Sequence, residues 1–129
     1  MGKIFYKNLC IQIQLKRAPK LDLDRVQRII EKIDLDKKTI KNFSIRLGND
    51  KGFYINFIFE VNELQKAWSL LERYLYRDKK IGLSLKRSTI ATCEGNSGWN
   101  DNLILHHFDG RIHLGQMDLT NNIFNPSCA

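Results

Sequence analysis

Three histidines, His106, His107 and His113, stand close together near the C-terminal end of a 129-residue chain. Imidazole is the one side chain that exchanges its proton near neutral pH without help from its surroundings, so this cluster is where chemistry would be sought first. Between the histidines lies Asp109-Gly110, a pair that commonly joins two strands through a two-residue turn. With that turn, Phe108 pairs with Arg111, His107 with Ile112 and His106 with His113, which sets two imidazoles opposite each other beside a guanidinium. Such a group can cleave a phosphodiester, one imidazole taking a proton and the other returning it while the cation steadies the oxyanion. No lysine or carboxylate at a recognisable spacing completes the set, and a polar cross-strand pair on a hairpin is more simply a solvated face, so no catalysis is expected. Cys93 with the histidines matches no familiar zinc spacing, and neither a metal nor another cofactor is expected. Cys10, Cys93 and Cys128 are odd in number and far apart, and read as three reduced thiols.

The elements that would position these residues follow from hydrophobic periodicity. From Tyr6 to Lys16, Leu9, Ile11, Ile13 and Leu15 alternate with polar residues, the pattern of a strand with one wet face. After Pro19, Leu23, Val26, Ile29, Ile30 and Ile33 recur at helical spacing, with Asp22 or Asp24 placed to cap the helix. Phe43, Ile45 and Leu47 alternate again, and Gly48–Gly52 supplies a turn into Phe53, Ile55, Phe57, Phe59 and Val61, an antiparallel partner strand. At Asn62 the period switches to 3.6, with Asn62 as N-cap, Gln65 closing a capping box, and Leu64, Trp68 and Leu71 facing inward. Ile81, Leu83 and Leu85 return to alternation and open a fourth strand that runs to Cys93.

The order strand, helix, strand, strand, helix, strand is that of an α+β fold, the ferredoxin-like split βαβ sandwich, with both helices on one face of an antiparallel sheet. That unit takes residues 1–93 of a single domain, and residues 94–129 add a β-hairpin extension and a tail. In the extension Trp99, Leu103 and Leu105 either plug the sheet's open face or help present a surface. Gly95 and Gly98 form a turn rather than a phosphate cradle, because no Lys-Ser/Thr and no helix follow them.

A net charge of +7 with 27% charged residues biases the chain toward acidic partners, whether nucleic acid or protein. Tyr6 and Tyr54, with Asn8, Gln12, Gln14, Asn56 and Ile58, would share the open sheet face, which is where an RNA-recognition domain stacks bases. The signature motifs of that domain are missing, however, and the cations are scattered through the sequence, so nucleic-acid binding is the alternative reading. No apolar run is long enough to span a bilayer and Met1–Lys7 has no signal-peptide pattern, so we expect a cytoplasmic protein without a membrane partner.

The run Cys93-Glu-Gly-Asn-Ser-Gly-Trp-Asn-Asp-Asn-Leu-Ile-Leu-His-His-Phe-Asp109, in a chain of this size and architecture, resembles the small immunity proteins of bacterial contact-dependent inhibition and related polymorphic toxin systems. The resemblance implies a non-enzymatic protein that binds and neutralises a toxin domain. Those families often meet nuclease toxins through an acidic surface. The positive charge of this chain departs from that habit and points to an acidic partner. Trp99, Asn100, Asp101, His106, Phe108, Arg111 and His113 are the expected contact residues, since aromatic side chains and arginine dominate protein interfaces.

Overall fold

Alternating burial builds the sheet. A computed structural model describes residues 7–34, 39–95 and 98–115, with side chains for all but 34 and 98–101. Strand β1 (Lys7–Gln14) buries Leu9, Ile11 and Ile13 and leaves Asn8, Cys10, Gln12 and Gln14 half-covered on its other face. Strand β3 (Phe53–Val61) repeats the pattern with Ile55, Phe57, Phe59 and Val61. With β2 (Ile40–Asn49), β4 (Thr89–Gly95) and β5 (Gly98–His107) they form one antiparallel five-stranded sheet in the order β2-β3-β1-β4-β5. The α+β class and the antiparallel β2–β3 pair are as expected, with Phe43 opposite Phe59 and Leu47 opposite Ile55. Among the described residues no helix is long and apolar enough to cross a membrane.

Helix α1 (Leu23–Asp34) buries Val26, Ile30 and Ile33, and the Asp22 carboxylate accepts the Arg25 N–H at 3.0 Å, satisfying a donor at the helix start. Helix α2 (Leu64–Leu71) buries Leu64, Ala67 and Leu71. Two expectations change here. The N-cap position falls one residue later than expected, at Glu63, whose side chain makes no capping bond, and the Asn62 N–H is held by the Thr39 carbonyl at 3.1 Å. Trp68 is half-buried at the core's edge rather than inside it, with its ring 5.5 Å from that of Tyr76 in a T-shaped contact. A π-helical turn, Glu72–Tyr76, follows α2, closed by the Arg77 N–H on the Glu72 carbonyl five residues back. The wider turn brings the consecutive side chains Leu75 and Tyr76 both into the core.

The expected fourth strand begins too early. Residues Gly82–Ser88 form helix α3, and the strand proper starts at Thr89. Ile81 and Leu85, four residues apart, are buried, whereas Leu83 between them is 59% exposed. Three leucine or isoleucine residues at alternate positions fit both periods, and Asp78 decides between them. Its Oδ2 accepts the N–H groups of Lys80 and Ile81, both at 3.0 Å, and its carbonyl accepts that of Gly82 at 2.9 Å, so the chain turns helical before a strand can extend. Gly82 is required by close approach, because a Cβ there would collide with the Tyr76 carbonyl oxygen.

The C-terminal hairpin is also different. β5 pairs back on β4, with Leu103 opposite Cys93 and His106 opposite Ala91, so it widens the sheet at that edge. Leu103 and Leu105 join the main core on the helix side. Arg111–Gly115 forms no strand. Asp109 occupies the first position of the turn instead of a central one. Its carbonyl accepts the Ile112 N–H at 3.0 Å while its carboxylate accepts the Arg111 N–H at 3.0 Å, the arrangement for which Asp is favoured at that position. The chain then returns to the edge of β5 through the Gly115 N–H, 2.8 Å from the Ile104 carbonyl. Tyr6, Cys128 and the rest of 116–129 lie outside the described residues.

Candidate functional site

The β4–β5 register shifts where Ala91 pairs with His106 and Thr92 with Ile104, a bulge that lets Leu105 and His106 both reach the helix side and turns His107 the other way. His106 turns to the helix side, its ring 4.9 Å from that of Tyr76 and its Nε2 3.0 Å from the Lys86 carbonyl, to which it must donate. Tyr76 in turn shares a 2.7 Å hydrogen bond with the Thr89 hydroxyl, and burial pushes its phenol far above the ordinary range. His107 turns to the open face. Its Nδ1 accepts the Asp109 N–H at 3.0 Å, so that nitrogen carries no proton. Burial moves its pKa down, with Asp109 opposing and the charges of His106 and Arg17 assisting. The expected pairing of His106 with His113 is therefore not formed: His106 is committed to α3, and His113 is an exposed residue beyond the turn. The two-imidazole arrangement considered for phosphodiester cleavage is absent with it.

Phe108 does come together with Arg17, a residue that sequence reasoning passed over, while Arg111 pairs with Asp109. The Arg17 guanidinium lies 3.6 Å from the Phe108 ring centroid, the His107 ring packs 4.4 Å from the same ring, and Arg17 Nε donates to Gln14 Oε1 at 2.9 Å. Arg111 is bound to Asp109 by two parallel bonds, Nε to Oδ1 at 3.0 Å and Nη2 to Oδ2 at 2.9 Å, and this guanidinium holds the Asp109 carboxyl down at about 2. Trp99, Asn100 and Asp101 belong to β5 by backbone, and their side chains lie outside the described residues. No group of three or more histidine, cysteine or carboxylate residues among the described ones could hold a metal ion.

Two further features lie at the same end of the sheet. One is a recess of about 710 Å³ between the end of β1, the β2–β3 turn and the end of α3, where Lys16, Arg17, Lys51 and Arg87 meet around Gln14 and Tyr54. The cations, scattered in sequence, are gathered there in space. The other is apolar. Ile45, Leu47 and Phe53 point to the core side of the sheet, yet they are 42%, 78% and 67% exposed, because the helical layer ends before it reaches them. Leu47 and Phe53 sit diagonally across the β2–β3 ladder and make one uncovered patch at the sheet edge. Phe53, at the end of its strand, also lines the recess, and Arg17 joins the recess to Phe108. Alternation identified the inward face of these strands. It carried no signal of where the helices stop.

Comparison of this chain with known protein families, with curated proteins and with solved structures finds no match.

Proposed function

We propose that this chain is a non-enzymatic protein-binding domain, an immunity protein of the bacterial cytoplasm that binds and neutralises a toxin domain. Its frame is read as ferredoxin-like, supported by four strands in the order β2-β3-β1-β4 with a fifth added beside β4. The observation that carries the reading is the uncovered apolar end of the β2–β3 pair. Ile45, Leu47 and Phe53 cost free energy where they stand, since they remain in water while the further inward residues of β3 are buried and Phe43 of β2 is half-buried. A contiguous apolar patch with a polar surround is the usual mark of a protein contact surface. It lies on an edge strand whose outer backbone groups are also open to pairing.

The C-terminal contact residues lie at the same end of the sheet, where Phe108 has the Arg17 guanidinium on its ring and Arg111 is paired with Asp109, contacts that restrain both side chains before a partner arrives. His113 and the backbone positions of Trp99, Asn100 and Asp101 complete the assignment proposed for this region. The test is titration calorimetry of the purified chain against a toxin domain encoded beside it. Binding that inhibits the toxin, and that Phe108→Ala together with Leu47→Ser weakens while the melting temperature is kept, supports the reading. Undiminished inhibition by that double variant would refute it.

A further inference from the structure

Lys16, Arg17, Lys51 and Arg87 converge on one recess with Asp50 as the carboxylate among its lining residues. Four cations elsewhere are paired, Arg25 with Asp78, Lys41 with Glu60, Lys66 with Glu63 and Arg111 with Asp109, and others such as Lys20, Arg28 and Lys32 form no ion pair among the described residues, so the recess differs in gathering four cations in one place. Among the described residues, none of the four in the recess forms an ion pair. Like charges brought together without counter-charges repel, and the fold holds them together all the same. Arg17 is fixed by Gln14 and Phe108, and Lys51 sits in the left-handed region at φ +57°, a conformation that costs a non-glycine residue free energy. We propose that this recess is the binding site for an acidic peptide segment, whose carboxylates supply counter-charges to the four cations while an apolar residue of the segment reaches Phe53, which lines the recess and is 67% exposed. This proposal rests on the protein-binding reading and names the chemistry of the partner.

A strand of nucleic acid offers similar charge but needs aromatic faces for its bases to stack on. The half-buried open-face aromatics near the recess, Tyr54 and Phe108, each have a neighbour packed against the ring. The Tyr54 ring lies against Gly48 so closely that a Cβ there would collide with it, and the Phe108 ring is flanked by Arg17 and His107. The exposed Phe53 ring can seat a leucine or phenylalanine of a peptide or stack a base, so an oligouridylate tests the second occupant. Arginine forks suit carboxylates in two-bond geometry, and two of the four cations are arginines.

The experiment is fluorescence anisotropy with a labelled dodecapeptide of repeating Glu-Asp-Leu and with a labelled oligouridylate of matched charge, each over a salt series. The recess variant is Lys51→Gly with Arg87→Gln. Glycine suits the backbone at position 51, so this pair keeps the fold, which circular dichroism checks. The expected result is peptide binding that the recess variant weakens by about tenfold or more, with a shallower salt dependence. Lys32→Gln with Lys66→Gln, on the helices, should change it by less than about twofold. Equal loss from the helix pair would show diffuse attraction by net charge and overturn the proposal, as would no measurable peptide binding. Tighter binding of the oligouridylate, lost in the recess variant, would reassign the site to nucleic acid. A toxin domain bound through Leu47 and Phe108 with no effect of salt or of the recess variant would refute the acidic-segment proposal and leave the protein-binding reading standing. Recess-dependent peptide binding without any toxin partner would do the reverse.

Discussion

Individual side chains in this protein are set by what lies on each face of the sheet. Cys10, on the open face, would be an ordinary thiol if it were fully solvated. Burial by its neighbours pushes it up to about 11, since a thiolate there loses hydration and gains no cation. Alkylation of native protein followed by peptide mass mapping should show Cys10 essentially unmodified at neutral pH and reacting as the pH approaches its raised pKa. Rapid labelling at neutral pH would mean that the β1–β3 and β1–β4 pairs open readily. Cys93, fully buried in β4, should label only on unfolding. At this scale the sequence was a fair guide: spacing placed Cys10 and the amides Gln12 and Gln14 on the same wet face, where they are found. It was a poor guide to His106 and His113, because their pairing depended on a turn whose first residue is set by Asp109's own hydrogen bonds.

Elements were legible where length and period agreed. Long alternating runs such as β1 and β3 leave no competing reading, and α1 carries its cap and its apolar stripe in plain view. The segment from Ile81 to Ser88 is short enough for two periods to fit, and the deciding interaction is made by Asp78, outside the run itself. Two substitutions separate the readings. A strand would place Leu83 and Leu85 on one face, so aspartate at either would be equally damaging. The helix predicts that Leu83→Asp changes the denaturation midpoint little, while Leu85→Asp, which buries a charge, costs several kcal/mol or prevents folding.

Asp78 gives α3 a pH signature. The Arg25 guanidinium, bound through Nε at 3.0 Å and Nη2 at 2.7 Å, holds its carboxyl at about 2, with the Ile81 and Lys80 N–H groups adding to the effect. A carboxylate whose pKa is lower folded than unfolded adds stability above its unfolded value, 3.8, and loses it as the pH falls through about 2. Chemical denaturation of Asp78→Asn should therefore show a deficit of about 1–2 kcal/mol at neutral pH that closes between those two values. A deficit that is independent of pH would assign the loss to packing instead of charge.

Over the whole molecule, helices cover one face of the sheet only as far as their lengths allow. α1 and α2 bury the middle of β1 and β3, β5 extends the sheet beyond β4, and the far end of β2–β3 is left with apolar residues in water. That shortfall could not be seen in the sequence, because alternation shows which face a residue takes and not whether anything lies over it. It is also what makes the molecule a binding protein in this account. Leu47 is 78% exposed and touches little of the core, so its replacement by aspartate should be nearly neutral for the fold and severe for a partner. The decisive measurement is titration of wild type and Leu47→Asp against a toxin domain of the kind proposed as the partner, with thermal melting of both proteins alone. The account predicts equal melting within a few degrees and a loss of affinity of at least about a hundredfold, the scale of an apolar anchor replaced by a buried charge. Unchanged affinity in a fully folded Leu47→Asp would contradict it.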